Sequence, residues 1–339
     1  MELAEAVAIL RQGQDLEFDQ MQSAIDTLMR GGCDQQLAGQ FLLALRAKGE
    51  TVTELAAAAT ALRRHMLRIE TRRTDVLDTC GTGGDAQRTF NISTAAAIVA
   101  AAAGACVAKH GNRKVTSSSG SADVLTALGV RIDAPLSIVT RCLDELGLCF
   151  CYAQQLHPAM KNVATLRQSL GVPTIFNLLG PLANPAGAER QLLGAGRRDY
   201  HTRLAGALKL LGTRHAAVVT GEDGLDEVTI STLTEVTLVT PEAVSERFWA
   251  PEDFGIRRQP LDALRVETAE ESAAVIRRVL AGEPGAARDI VVANAAAALW
   301  VAGRAADLQE AAHQAAEAID SQKATRLLQA LAHMTHRAS

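Results

Sequence analysis

Apolar residues recur at three- and four-residue spacing from the amino terminus to about residue 73, with polar breaks at Gln12-Gly13-Gln14, Gly31-Gly32 and Lys48-Gly49-Glu50. That pattern predicts a small all-helical domain. Beyond Thr71-Arg72-Arg73 the texture changes. Short β-rich runs at 76–77, 106–108, 148–153, 191–193 and 216–219 alternate with helical patterns at 95–105, 121–128, 136–146 and 201–211. The alternation predicts an α/β domain with a mainly parallel central sheet covered by helices, whose ligands gather at the carboxyl ends of the strands. Residues 157–182 interrupt it with a helical, turn-rich stretch expected to pack away from the sheet, with the amino-terminal helices. Residues 286–302 and 307–334 read as long alanine-rich covering helices. The expected organisation is a helical domain over 1–73 and an α/β domain over 74–339.

Composition narrows the partners. In 339 residues, 48% are hydrophobic and 21% charged, which describes a globular protein with an ample core. The formal net charge of -4 supplies no general basic field, so neither nucleic acid nor an anionic membrane is an expected partner. A small molecule is. Cysteines 33, 80, 106, 142, 149 and 151 form no CxxC pair and no zinc-type Cys/His spacing, and reduced thiols are expected. The first residues form an acidic amphipathic helix pattern without a basic leader, and no apolar run reaches a spanning length. A cytoplasmic location follows as the expectation.

The most informative stretch is DTCGTGGDAQRTFNIST, residues 78–94, between the extended Val76-Leu77 and an alanine-rich helix. A glycine-bearing strand-to-helix turn aims free backbone N–H groups and the positive end of a helix at one place, which suits a phosphate. Gly81, Gly83 and Gly84 leave room for an anion, and Asn91, Ser93 and Thr94 offer side-chain hydrogen bonds where the helix starts. Neither GxxxxGK[ST] nor GxGxxG is present, and an ordinary N-capped turn would read similarly.

A second cluster, AKHGNRKVTSSSGSADVLTALG at 108–129, repeats the logic after the run at 106–108. Lys109, Arg113 and Lys114 bring charge, Gly111 and Gly120 bring backbone freedom, and serines 117, 118, 119 and 121 bring donors. Two such loops at consecutive strand ends point to a ligand with more than one phosphate. Asp226-Glu227, after the run at 216–219, suits Mg²⁺ beside phosphate loops, though alone it reads as a surface turn. Arg167 could hold a carboxylate in bidentate fashion or be an exposed helical arginine, and His110 and His157 could orient a substrate or cap turns.

The segments GTGGDAQRTFNIST, AKHGNRKVTSSSGSADVLTALGV, HPAMKNVATLRQSLGVPTIFNLLGPLANPAG and GLDE resemble, in order and spacing, the motifs of the anthranilate phosphoribosyltransferases of tryptophan biosynthesis. The resemblance spans nearly the whole chain. It implies Mg²⁺-dependent transfer of the 5-phosphoribosyl group from phosphoribosyl pyrophosphate to the amine of anthranilate, on a fold related to nucleoside phosphorylases. It also implies two Mg²⁺ ions per substrate-bound site and a homodimer formed through the helical part. Carried over, the pattern places Gly81, Gly84, Asp85, Thr89, Asn91, Ile92, Ser93 and Thr94 around pyrophosphate and ribose. Lys109, His110, Gly111, Asn112, Arg113, Lys114, Val115, Thr116, Ser117 and Ser121 fall on the sugar phosphate and pyrophosphate. Ser93, Asp226 and Glu227 fall on metal-associated positions, and Gly81, Asn112 and Arg167 on anthranilate contacts, with His110 and His157 lining the same tunnel. No general acid or base is assigned, because the amine of anthranilate is already a neutral nucleophile near neutral pH.

The chain departs from the family pattern at Thr220, where histidine is usual, at Gln322, where glycine is usual, and at Ala164-Thr165-Leu166, where a proline normally precedes the arginine. The competing expectations are a pyrimidine nucleoside phosphorylase and a non-catalytic binding descendant. GTGGD followed by NIST, with Asp226-Glu227, favours a Mg-pyrophosphate donor over both.

Overall fold

The computed structural model describes residues 2–84, 87–113 and 120–337. Four amino-terminal helices form first: α1 (Leu3–Arg11), α2 (Phe18–Arg30), α3 (Gln35–Lys48) and α4 (Val52–Arg64). Their breaks are chemical. Thr51 caps α4 by accepting from the Glu54 amide at 3.1 Å, while Glu54 Oε2 accepts from the Thr51 amide at 2.8 Å. Glu54 is fully buried, yet Oε1 accepts from the Leu16 amide and Lys48 Nζ reaches Oε2 at 2.9 Å. One carboxylate thus ties three segments together with every charge paired.

The chain then alternates β1 (Val76–Gly81), α5 (Ile92–Ala102), β2 (Cys106–Gly111), α6 (Ser121–Ala127), α7 (Leu136–Arg141) and β3 (Leu148–Tyr152). Short helices α8 (Ala153–Leu156), α9 (Lys161–Leu170) and α10 (Phe176–Leu179) lead to β4 (Arg190–Gly194), α11 (His201–Leu210) and β5 (His215–Gly221). Strands β6 (Thr234–Val239) and β7 (Val244–Trp249) follow, then α12 (Ala269–Leu280), α13 (Ala286–Val301), α14 (Leu308–Asp320) and α15 (Lys323–Thr335). The sheet order is β3-β2-β1-β4-β5-β6-β7, parallel from β3 through β5 and antiparallel thereafter.

This sheet is a wall between two cores, and strand alternation assigns the sides. On β4 and β5, Leu193, Ala216 and Val218 pack with α1–α4, α9, α10 and α11, whereas Leu192, Ala217 and Val219 pack with α5 and α12–α15. Helix α11 approaches α4 closely because Gly206 has no side chain. A Cβ there would lie 2.7 Å from Val52 Cγ1.

Several elements differ from the sequence expectation. The first strand runs through Gly81, so the glycine-bearing stretch begins in strand at residues 78–81. The helix expected over 136–146 changes to a π-helical turn at Cys142–Leu146, and the strand expected over 148–153 yields to α8 at Ala153. Residues 307–334 are two helices, because Gln322 takes a left-handed backbone, φ 61°, between α14 and α15. The antiparallel pair β6–β7 was not foreseen.

Candidate active site

The sheet opens where the chemistry gathers. Backbone pairing between β1 and β2 is confined to Val76 with Cys106 and Leu77 with Val107, although both strands continue for four residues beyond. Side chains take over for the lost ladder. Asp78 Oδ1 accepts from the His110 amide at 3.0 Å, Lys109 Nζ donates to the Thr79 carbonyl at 2.5 Å, and Asn184 Nδ2 donates to the Ala108 carbonyl at 2.8 Å. A split parallel sheet with satisfied edges leaves a cleft at the strands' carboxyl ends.

One cavity, of about 240 Å³, lies against the two glycine-bearing loops. Gly81, Gly84, Thr89, Asn91, Ile92 and Ser93 line it from the first loop. Lys109, His110, Gly111, Asn112, Arg113 and Ser121 line it from the second, and Asp226 and Glu227 face both. The expectation thus brings these residues to one place. Thr94 is different: it is buried beneath the cavity, where its hydroxyl donates to Asn91 Oδ1. Asp85, Lys114, Val115, Thr116 and Ser117 lie outside the described residues. Arg88, Phe90 and Thr82 also line the cavity and were not singled out from sequence, and Gly120, expected to give the second loop backbone freedom, lines it too. Arg88 has a positive φ of 57°, and Phe90 and Val266 cross-link this loop to residues 264–266 and 88 through backbone hydrogen bonds.

Lys109 is 4% exposed and also donates to Ser93 Oγ at 3.0 Å. Burial lowers its pKa, opposed chiefly by the field of Asp78 and further by Glu227 and Asp226. An arriving polyanion would relieve the same burial cost. Asp226 stands in a glycine cradle: a Cβ on Gly81 would lie 3.0 Å from Asp226 Oδ2, and one on Gly194 would lie 1.8 Å from the Asp226 carbonyl. Only glycine at position 194 lets the segment sit there. Asn294 of α13 fixes the following residue, exchanging hydrogen bonds of 2.9 and 2.8 Å with the Val228 backbone. Hard oxygen donors of this kind, beside loops suited to phosphate, fit Mg²⁺, which usually takes one or two carboxylates with water and substrate oxygens.

A second cavity, of about 520 Å³, shares Thr82, His110 and Asn112 with the first and extends towards α9 and α10. Arg167 and His157 line it. The Arg167 guanidinium lies 5.5 Å from the Phe176 ring centroid, and burial pushes its pKa down. No carboxylate pairs with it among the described residues. Phe176 and Met160, with the polar Asn177, complete much of the wall, and the two apolar residues escaped the sequence reading because apolar residues in a helical stretch look like core.

His110 and His157 meet at the junction, Nε2 to Nε2, at 3.1 Å. His110 Nδ1 faces the Gly180 carbonyl at 2.9 Å, and a carbonyl only accepts. His110 therefore donates from Nδ1 and accepts at Nε2, with His157 donating from its Nε2. Burial, reinforced for His157 by its neighbour, holds the two rings neutral, with pKa values of about 4 for His110 and about 3 for His157. The linkage has a definite sign. Below the ordinary histidine value of 6.5 the unfolded chain takes up protons that these native rings refuse, so stability falls as pH drops towards 4. Urea unfolding between about pH 7.5 and 5 should show this loss, up to about 1.4 kcal/mol per pH unit for each histidine. A flat profile there would contradict the buried neutral pair.

The threonine at position 220 is absorbed by its surroundings. Its hydroxyl donates to the Ala195 carbonyl at 2.5 Å and accepts from His201 Nε2 at 2.8 Å, while Thr237 bonds the other ring nitrogen.

Comparison with known proteins agrees with this geometry. Residues 4–66 match the helical bundle domain of a glycosyl transferase family, and residues 73–325 match its α/β domain. An anthranilate phosphoribosyltransferase of Rhodopirellula baltica is 47% identical over 98% of this chain and 97% of its own. The crystal structure of the Thermus thermophilus enzyme superimposes with a TM-score of 0.92 at 40% identity, covering 98% of this chain and 99% of that one. The Saccharomyces cerevisiae enzyme in complex with PRPP and Mg gives 0.89 at 28% identity, covering 98% and 97%. With its helical bundle, its split sheet and its paired cavities, the chain belongs to the anthranilate phosphoribosyltransferase family.

Proposed function

We infer that this protein transfers the 5-phosphoribosyl group of phosphoribosyl pyrophosphate to the amine of anthranilate, giving N-(5-phosphoribosyl)anthranilate and pyrophosphate in tryptophan biosynthesis. The observation that carries the assignment of roles is the pair of joined cavities. One is framed by phosphate-suited loops and two carboxylates, and the other contains an arginine without a carboxylate partner among the described residues. They meet at Thr82, His110 and Asn112, which is where the anomeric carbon and the amine would face each other.

In this reading the first-loop glycines and Asn91, Ile92 and Ser93 hold pyrophosphate and ribose. Lys109, Gly111, Asn112, Arg113 and Ser121 hold the phosphates from the other side. Ser93, Asp226 and Glu227 would hold Mg²⁺, which when bound neutralises the charge growing on the departing oxygens. Lys109 contributes a fixed positive charge to the same leaving group. Arg167 anchors the acceptor's carboxylate, and the neutral histidine pair walls the tunnel without offering a strong base. The work is mainly placement and leaving-group stabilisation. The remaining parts of the reading are two metal ions per site and pairing of two copies through α1–α4 with neighbouring helices.

Fluorescence of anthranilate should fall on mixing with phosphoribosyl pyrophosphate and Mg²⁺, with thymidine plus phosphate inert. Turnover of the thymidine pair alone would assign the protein to the nucleoside phosphorylases instead.

A further inference from the structure

The acceptor cavity has a one-sided charge that the donor cavity does not share. Among its described lining residues there is no aspartate or glutamate, whereas two cations, Lys161 and Arg167, both come from α9. The neighbouring donor cavity, by contrast, carries Asp226 and Glu227. Arg167 stands near the end of α9 and packs on Phe176, while Lys161 is the first residue of the helix and is exposed. They stand six positions apart on the α-helix, about 9 Å along the axis.

Stability does not account for Lys161. It makes no ion pair among the described residues, and it sits at the end of the helix where the backbone dipole already points its positive pole. The first turn of α9 has no acidic residue, and Met160 supplies no side-chain cap. A lysine there opposes the helix and favours an anion entering the cavity.

Resting on the acceptor assignment above, we propose that Lys161 is a specificity-determining residue. It draws the carboxylate of the aromatic amine to the mouth of the tunnel and passes it to Arg167, so that anionic amines are selected over neutral ones. It acts on capture, not on the bond being made.

The test is steady-state kinetics of Lys161→Gln, Lys161→Glu and Lys161→Arg across ionic strength, with melting temperatures alongside. A unit charge about 8 Å from the passing carboxylate, at an effective dielectric of about 40 to 80, changes kcat/KM for anthranilate about two- to six-fold. Lys161→Gln should lose that much at low salt, and Lys161→Glu about the square of it, with kcat and the donor KM held within two-fold. The parent and Lys161→Gln should converge as salt screens the field, and Lys161→Arg should behave as the parent. Melting temperature should stay level or rise in Lys161→Glu, since an acid at this helix end is favourable. A Lys161→Glu enzyme that matches the parent at low salt, or whose loss is independent of salt or follows a drop in melting temperature, overturns the role while leaving the reaction intact. A parent inactive with both substrates overturns the reaction and this role together.

Discussion

Arg167→Ala should raise the anthranilate KM by about 30- to 150-fold, the equivalent of about 2–3 kcal/mol for a charge-assisted bidentate contact, while the donor KM stays within about two-fold. The reason is the state of the guanidinium before substrate arrives. It is drawn out of water, so burial lowers its pKa, and it is stacked on Phe176 without a carboxylate partner among the described residues. A guanidinium does not shed its proton at neutral pH, so the unpaired charge is retained at a cost that an incoming carboxylate removes. The planar fork matters as well as the charge. Arg167→Lys should recover only part of the loss, because a lysine cannot reproduce two parallel hydrogen bonds. Initial-rate measurements varying each substrate separately decide the matter. An equal rise in both KM values would mean that Arg167 supports the general shape of the cleft and does not anchor the acceptor.

What the sequence made legible was whatever depends on local chemistry. The glycine loops, the breaks among the first helices and the alternation of strands with helices all carry their signal within a few residues. Most of the described residues expected from those pieces line one cavity. Thr94 is instructive: as the third residue of α5 it turns its hydroxyl back to Asn91 and sits beneath the cavity its neighbours line. Helical phase separates it from Ser93, and a motif read as a string does not show phase. The acceptor cavity was half legible. Arg167 stood out as a cation, but Phe176 and Met160 take their meaning from a wall built by segments far apart in sequence.

The overlooked elements have different causes. β7 turns Val244 and Phe248 outward at the sheet's open edge, with relative exposures of 41% and 56%, so no buried apolar face marked it. The break at Gln322 was hidden because no glycine stands at a position whose φ of 61° glycine would favour. The structure compensates there with side-chain bonds from Gln322 Nε2 to the Leu280 and Ile319 carbonyls. The split between β1 and β2 does not follow from the apolar pattern, because only the first residues of each strand read as an apolar run and Asp78 and Lys109 lie beyond them. A buried aspartate on such a strand is the signal that was available. Burial raises its pKa, and its retention is explained by the amide of His110 that it must satisfy.

Asp226→Asn combined with Glu227→Gln should lower kcat/KM by at least about 100- to 1,000-fold, corresponding to roughly 3–4 kcal/mol of lost leaving-group stabilisation. These substitutions keep the shape that the cradle demands. Asp226 is pressed against Gly81 and Gly194 so closely that any larger change would displace the backbone, and an amide occupies nearly the same volume as the carboxylate. What is removed is negative charge at the only place where acidic side chains line the donor cavity among the described residues. Two consequences separate a metal role from a purely electrostatic one. If the carboxylates hold Mg²⁺, the activity that remains should need a higher Mg²⁺ concentration, and calorimetry should show weaker donor binding in the presence of Mg²⁺ than the parent gives. If instead they only repel the donor's phosphates, neutralising them should tighten donor binding and leave the Mg²⁺ dependence where it was. Lys109 sharpens the distinction, because its ammonium is held partly by the field of these same carboxylates. Their loss leaves it a buried cation compensated by Asp78 but no longer by these two carboxylates, which by simple Coulomb attraction favours the donor. A measured weakening would therefore occur against that attraction, and would be strong support for oxygen ligation of the metal.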